Sequence, residues 1–436
     1  MAHVTFKGGV YPHKRKRFTR EKTLEEYLPK GDLVYPLLQH IGGMAVPVVE
    51  PGERVLEGQL IARASGDISA PVHASVSGIV RSIEPRLTVS GKMIPSIVVE
   101  NDGAYEKYPA EEIGPWKELE PGERLRRIRD AGVVGMGGAG FPTHVKLAVR
   151  NPKRIRYVIV NGTECEPYMT GDYRRMVEEP EHLVEGLEIV LGFFERAVGI
   201  LALEDNKRDA ITALQMAVRE EPRMEVRVFE TKYPQGAERM LIYSVSGMEI
   251  DSTQLPADAG CIVLNVETVC AIRQALVEGR PLIQRAVTVT GKALKNPRNL
   301  LVRLGTSFAE LPEAAGGFAR EPRKFVCGGP MRGTALPDLD VPVVKTSAGL
   351  LCMSKDYLFK PSACIRCGSC AEVCPIHLLP ARLAELASQD KEEEFRHMHG
   401  MECLGCGSCS YVCPARRALA PAIQGMRKSL LAQGKR

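Results

Sequence analysis

Eight of the chain's thirteen cysteines lie between residues 364 and 413, in two copies of one spacing: Cys364-x2-Cys367-x2-Cys370-x3-Cys374-Pro375 and Cys403-x2-Cys406-x2-Cys409-x3-Cys413-Pro414. Short two-residue loops let successive thiolates converge on neighbouring irons. The proline helps carry the fourth cysteine of each run away toward a second cluster, a spacing with which bacterial proteins hold two 4Fe–4S clusters. The pattern assigns Cys364, Cys367, Cys370 and Cys413 to one cluster, and Cys403, Cys406, Cys409 and Cys374 to the other. Cys-x2-Cys pairs also hold tetrahedral zinc, but two complete four-cysteine runs, each closed by Cys-Pro, favour clusters. His377, His397 and His399 flank the runs and read as ordinary surface or supporting side chains, because the thiolates already fill the ligand count. Cys165, Cys261, Cys270, Cys327 and Cys352 are scattered and read as small buried hydrophobes.

This cysteine-rich segment, residues 355–425, is expected to form a small helical two-cluster domain, with a helix between the runs in PARLAELASQDKEEEFRHMHG. The remainder of the 436 residues leaves room for several more domains. No secretory leader is expected at the start, where MAHVTFKGGVYPHKRKR has basic residues but no apolar core behind them. Thirteen cysteines in that setting point to thiolate ligation in a reducing compartment rather than to disulfides. The longest apolar stretch, LVEGLEIVLGFFERAVGILAL, is interrupted by Glu185, Glu188, Glu195 and Arg196. It reads as a buried or amphipathic helix rather than a membrane span. A net charge of +5 gives no indication of a nucleic-acid partner. Basic residues gather in KRKRFTR (14–20) and in the tail from 426 to 436, and both read first as solvated ends.

After an N-terminal arm (1–30), residues 31–105 alternate short apolar runs with Gly/Pro punctuation and predict a compact all-β unit. A polar linker (106–120) follows. Residues 121–285 interleave helical segments with the apolar runs YVIVN, AVGILALE, EVRVFE and CIVLN, which predicts an α/β layer structure with a largely parallel sheet. Residues 286–350 return to β character.

Within the α/β segment, DAGVVGMGGAGFPTHVKL carries Gly135-x-Gly137-x-x-Gly140, with Pro142 and Thr143 at an expected helix start. Backbone N–H groups in such a loop can cradle phosphate. As a dinucleotide fingerprint the motif is incomplete, since only Val133-Val134 precedes it where a full strand belongs. The next strand, YVIV, runs into NGTECEP and places Asn161, Glu164 and Glu166 beyond a strand's carboxyl end, where open α/β sheets bind ligands. Lys146, one turn into the helix, can add positive charge near a phosphate.

GMGGAGFPTHVKL, YVIVNGTECEP, YPQGAERMLIYSVSG and VLNVETV resemble the flavin domain shared by the RnfC component of Rnf complexes and the NADH-oxidising component of respiratory complex I. FKGGVYPHKRKRFT, LLQHIGGMAVPVVEPGERVLEGQLIA and ISAPVHASVSGIV, with the double cysteine motif, extend the likeness to RnfC along essentially the whole chain. The resemblance implies a multidomain α/β-plus-β protein. Its parts are a barrel-sandwich (biotinyl/lipoyl-like) β domain, a Rossmann-like α/β domain for FMN and NAD(H), a β-grasp ligand-binding domain and a ferredoxin-like domain with two 4Fe–4S clusters. It further implies a peripheral subunit on the cytoplasmic face of the bacterial membrane. There it would be held by other subunits of an electron-transport complex and move electrons between ferredoxin and NAD with ion pumping. Gly137, Gly138, Gly140 and Phe141 would line FMN and the nucleotide phosphates with Lys146 nearby, and Asn161, Glu164, Glu166, Glu238, Asn265 and Thr268 fall on contact positions of the family.

Departures qualify the transfer. Met136 and Thr163 stand where the complex I loop has arginine and aspartate, and ASGDISAPVHAS offers no lysine for a swinging prosthetic group. No acid–base or nucleophilic catalytic residue is expected, because the redox chemistry belongs to the cofactors. Two other readings keep similar parts: a cobalamin reductase of bacterial microcompartments, whose barrel-sandwich unit is expected toward the other end of the chain, and an electron wire without flavin.

Overall fold

The continuous apolar runs YVIVNG, VGILALE and CIVLN suit strands buried on both faces of a parallel sheet. In the computed structural model, which describes residues 5–109, 114–356 and 359–433, they form a four-stranded sheet. Its order is Met224–Phe229, Val198–Glu204, Tyr157–Gly162, Cys261–Asn265, and every neighbouring pair is parallel. Helices Pro180–Leu191 and Val266–Val277 cover one face, burying Leu183, Leu187, Val269 and Leu276. Helix Glu238–Ser246 covers the other with Leu241 and Ile242 against Ile159 and Ile200. The chain leaves Tyr157–Gly162 toward one edge and returns to Cys261–Asn265 on its opposite side. The reversal of strand order therefore falls between these two strands, where Asn161 pairs with Asn265. A crevice at such a switch point is where open α/β sheets take ligands.

The stretch LVEGLEIVLGFFERAVGILAL, read as a helix although its end AVGILAL also reads as a strand, divides between the two. Pro180–Leu191 is helical, a turn follows through Gly192 to Phe194, and Val198–Glu204 is a central strand. The charged pair Glu195-Arg196 sits in the break, and VGILAL takes the parallel-strand environment that its β-branched and apolar residues fit.

Residues expected as a β-grasp unit form a six-stranded mixed sheet, and its limits differ from 286–350. Strand Gln284–Thr290 begins earlier, Gly349–Met353 ends later, and the edge strand Leu24–Tyr27 comes from the N-terminal arm, pairing parallel with Arg298–Arg303. The arm is thus part of this sheet rather than a separate appendage.

The all-β unit has a four-stranded antiparallel sheet (Leu33–Pro36, Met93–Asn101, Gly78–Leu87, Arg54–Val55). A three-stranded sheet (Val46–Pro47, Leu60–Arg63, Val72–His73) lies over it across a core of Leu33, Tyr35, Val55, Ile61 and Ile97. The expected linker is partly docked: Tyr108 N donates to Glu57 O (2.8 Å), and the turn Trp116–Glu118 packs on the α/β core. Residues 110–113 of it lie outside the described residues.

Among the described residues, five α-helices shape the cysteine-rich region: Ser369–Glu372, Pro380–Ser388, Glu392–His397, Ser408–Val412 and Leu419–Gln433. Of the expected tail, residues 426–433 are the second half of the last helix, whose Met426 and Leu430 are buried against Leu383 and Phe395, and residues 434–436 lie outside the described residues. Apolar residues at 419, 423, 426 and 430 recur at helical spacing, which the basic residues around them mask. Among the described residues no helix is long and apolar enough to cross a membrane.

Candidate redox site

The glycine loop closes on itself and is held from below. Gly135 N donates to Phe141 O at 2.8 Å, and Thr268 Oγ1 accepts from Met136 N (3.0 Å) while donating to Val134 O (3.3 Å). Gly137 needs to be glycine, since an added Cβ would lie 2.9 Å from Asn265 Cβ. Gly138 has no heavy atom within 4 Å of the same point and leaves the loop's backbone open to a cleft. Gly140, at φ +73°, turns the loop against Gln39 O and the His40 backbone of the barrel-sandwich domain.

That cleft has a volume of about 630 Å³ and is lined by Gly137, Gly138, Asn161, Glu164, Glu166 and Asn265 among the expected residues. Gly140, Phe141 and Thr268 shape the loop without lining the cleft. Lys146 and Glu238 also stand outside the lining and hold each other: Lys146 Nζ pairs with Glu238 Oε2 at 2.9 Å and donates to Val263 O at 2.7 Å. The helix after the loop, Thr143–Leu147, has only five residues. The helix N-termini that open on the cleft are instead those of Gly171–Glu178 and Val266–Val277, through Gly171, Asp172 and Asn265.

The strand end is tightly organised. Asn161 Oδ1 accepts from Thr163 N (3.3 Å) and Thr163 Oγ1 (2.7 Å), and its Nδ2 donates to Gly236 O (2.9 Å). Glu164 sits at φ 39°, and its Oε1 accepts from Asp172 N at 2.9 Å. Lys16, reaching in from the N-terminal arm, pairs with Glu164 Oε2 at 3.2 Å and donates to the carbonyls of Glu164 and Met169. Asn265 caps its helix through Glu267 N (3.0 Å) and donates to Asp172 Oδ2 (2.6 Å). Burial, with Glu164 and Glu267 nearby, pushes the Asp172 carboxyl up to about 7. Burial raises Glu166 as well, against the backbone N–H groups of Met331 and Arg332, and its Oε1 has no hydrogen-bond partner among the described residues.

These features fit a flavin nucleotide. The cleft has the size of a small-molecule site, its glycine edge exposes backbone, and Glu166 Oε1 is a buried acceptor without a donor among the described residues. Sequence reasoning missed the walls supplied from elsewhere: Tyr233, Asp172, Arg285, Arg332 and Lys428. A second glycine-rich run, CGGPMRG (327–333), was the available signal for Arg332.

The thiols gather in the crossed sets that the spacing predicts. Cys374, Cys403, Cys406 and Cys409 line one small cavity with Ile376, Leu404 and Ile423. Cys364, Cys367, Cys370 and Cys413 line another, of about 260 Å³, with Ile365 and Leu379. The first set is the more buried, and burial with the neighbouring thiols pushes Cys409 up to about 12. Four crowded thiolates are stable only around compensating positive charge, which iron supplies.

The two sites touch. Tyr233, 1% exposed, lines the cleft and donates its hydroxyl to Cys406 O at 2.7 Å. Gly9 N donates to Val373 O (2.8 Å), and Arg239 Nη2 pairs with Glu402 Oε2 (2.9 Å), fastening the cysteine-rich domain beside the cleft.

Family models match the chain in four places. An RnfC barrel sandwich hybrid domain covers residues 4–104, a Nuo51 FMN-binding domain 128–274, an SLBB domain 286–335 and a 4Fe-4S dicluster domain 356–415. The corresponding component of the Na(+)-translocating ferredoxin:NAD(+) oxidoreductase complex of Acetobacterium woodii is 42% identical over 99% of this chain and 98% of its own length. Its counterpart in the proton-translocating ferredoxin:NAD(+) oxidoreductase complex of Clostridium ljungdahlii is 43% identical over 91% of this chain and 87% of its own. The counterpart in the ion-translocating oxidoreductase complex of Vibrio cholerae is 39% identical over 89% of this chain, which spans 51% of that relative. Among solved structures, a chain of an NAD+-reducing [NiFe]-hydrogenase in the air-oxidized state shares the fold with a TM-score of 0.51 and 20% identity, over 75% of this chain and 64% of that one. Matched along nearly its full length, the chain belongs to the RnfC family, one of the component families of Rnf-type ion-translocating ferredoxin:NAD(+) oxidoreductase complexes.

Proposed function

We propose that this chain passes electrons between NAD(H) and two 4Fe–4S clusters by way of FMN in the cleft. It does so as a peripheral subunit of a membrane complex that couples ferredoxin and NAD to ion translocation, held on the cytoplasmic face by its partner subunits. The observation that carries the reading is the contact of Tyr233 with both the cleft and Cys406. Bound flavin supplies the exchange between hydride and single-electron chemistry that neither nicotinamide nor a cluster performs alone.

The residues' share is binding and order. Gly137 and Gly138 present backbone to FMN, while Asn161, Glu164, Glu166 and Asn265 hold its polar edges or the nucleotide's. Gly140, Phe141 and Thr268 keep the loop in shape, and the Lys146–Glu238 pair braces the helix after it. Cys374, Cys403, Cys406 and Cys409 hold the cluster nearer the flavin. Cys364, Cys367, Cys370 and Cys413 hold the farther one, and the exposure of Cys364 and Cys367 supports an outlet there. The barrel-sandwich domain at the N-terminal end argues against the cobalamin-reductase reading.

Anaerobically purified protein tests the proposal. It should release flavin on denaturation, carry about eight irons per chain and reduce an artificial acceptor with NADH. Irons without flavin or NADH activity would leave an electron wire in its place.

A further inference from the structure

The basic run of the arm walls a second hollow, separate from the flavin cleft. His13, Lys14, Arg15, Lys16, Arg17 and Arg20 face Tyr173, Asn206 and Lys207 across a cavity of about 450 Å³, with Glu21 as the carboxylate in its lining. The expected solvated end is in fact pinned. Tyr168 N donates to Lys14 O at 2.8 Å, Lys16 is engaged with Glu164, and the hydroxyls of Thr19 and Thr170 meet at 2.6 Å.

The cations in this wall are unequally matched. Lys207 is buried and engaged by Glu204, Asn206 and the carbonyl of Thr163, and Arg20 lies 3.8 Å from Asp209. Among the described residues, the side chains of His13, Lys14, Arg15 and Arg17 form no ion pair, although Arg17 lies over the Phe18 ring at 5.6 Å. A pinned backbone therefore holds the cations Lys14, Arg15 and Arg17, without ion-pair partners among the described residues, around one concavity beside His13. Like charges so placed repel, and the field they focus attracts an anion. Helix Arg208–Ala217 begins at the same hollow, with its positive end there.

We propose that this hollow binds a multiply charged phosphate anion. Arginine forks suit phosphate oxygens bidentately, and the volume admits a pyrophosphate-sized group. The source is either a soluble anion or the headgroup of an acidic phospholipid, and the chemistry of recognition is the same. The hollow also backs onto the flavin cleft. Thr163, Glu164 and Met169, which line that cleft, are the residues held by Lys207 and Lys16. The inference rests on the geometry of the arm and stands independently of the flavin reading.

The test uses the cofactor-replete protein and a Lys14→Gln/Arg17→Gln double variant, whose two side chains are exposed and lie outside the flavin cleft. Calorimetric titration with inorganic pyrophosphate at low salt should give one saturable site, weakened at least tenfold in the variant, while flavin and iron contents stay unchanged. Hydrogen exchange over residues 13–20 should slow on binding. Flotation with vesicles of equal parts phosphatidylglycerol and phosphatidylcholine, against phosphatidylcholine alone, separates the sources. Vesicle binding lost in the variant, without pyrophosphate binding, assigns the lipid headgroup. Failure of both probes to bind, or equal binding by the double variant, overturns the proposal.

Discussion

Lys16 shows how far one side chain can reach from its place in the sequence. It comes from the basic run of the arm, yet its ammonium meets a carboxylate in the flavin cleft, and the two side chains are only 12% and 6% exposed. Removing one partner of such a pair strands a buried charge, at about 3–5 kcal/mol. Lys16→Met should therefore lower stability by that order and release flavin, with Lys16→Met/Glu164→Gln recovering part of the loss; chemical denaturation and flavin content measure both. Asp172 gives a pH signature. Its folded-state value of about 7 lies above the ordinary carboxyl value near 4, so its contribution to stability is full below about pH 4 and is lost as pH rises through 7. Asp172→Asn keeps an acceptor for Asn265 but does not ionise. Between pH 5 and 8 the melting temperature of the flavin-free variant should fall less than that of the parent, and parallel curves would contradict the assignment.

Elements were legible where the signal is local. Each cysteine triplet is read from its own spacing, while its fourth thiol, Cys413 or Cys374, is brought beside it by the packing of the two runs; the apolar runs YVIVN and CIVLN predict the strands whose ends carry Asn161 and Asn265. Elements defined by distant partners were not legible. Leu24–Tyr27 is four residues of mixed polarity and becomes a strand only beside Arg298–Arg303. The final helix was hidden by its charges, and this gives a prediction at the same scale. A chain ending at Gly425 would lose little if 426–436 were a solvated tail. The structure instead buries Met426 and Leu430 in the cysteine-rich domain's core, so truncation should reduce iron per chain well below about eight; unchanged iron would count against the packing described.

At the scale of the whole molecule, the site exists because segments of several domains meet. Gly137 to Asn265 were visible as one motif-bearing domain, whereas Tyr233's junction with Cys406, Arg332 from the six-stranded sheet and Lys428 from the last helix depend on domain docking that no local pattern encodes. The arm is the common fastening, touching the cysteine-rich domain at Val373, the α/β domain at Tyr168 and Tyr233, and the six-stranded sheet at Arg298–Arg303. If the junction carries electrons, Tyr233→Phe, which keeps the ring but loses the hydroxyl, should retain flavin and iron and slow exchange between them several-fold in stopped-flow traces.

Whether the cleft's flavin joins the clusters to NAD is open to one direct measurement. Protein with chemically reduced clusters, freed of reductant and mixed anaerobically with NAD+, should form NADH as the clusters reoxidise, and flavin-stripped protein should not. Cluster reoxidation without NADH, or equal NADH formation by the flavin-stripped protein, would contradict it.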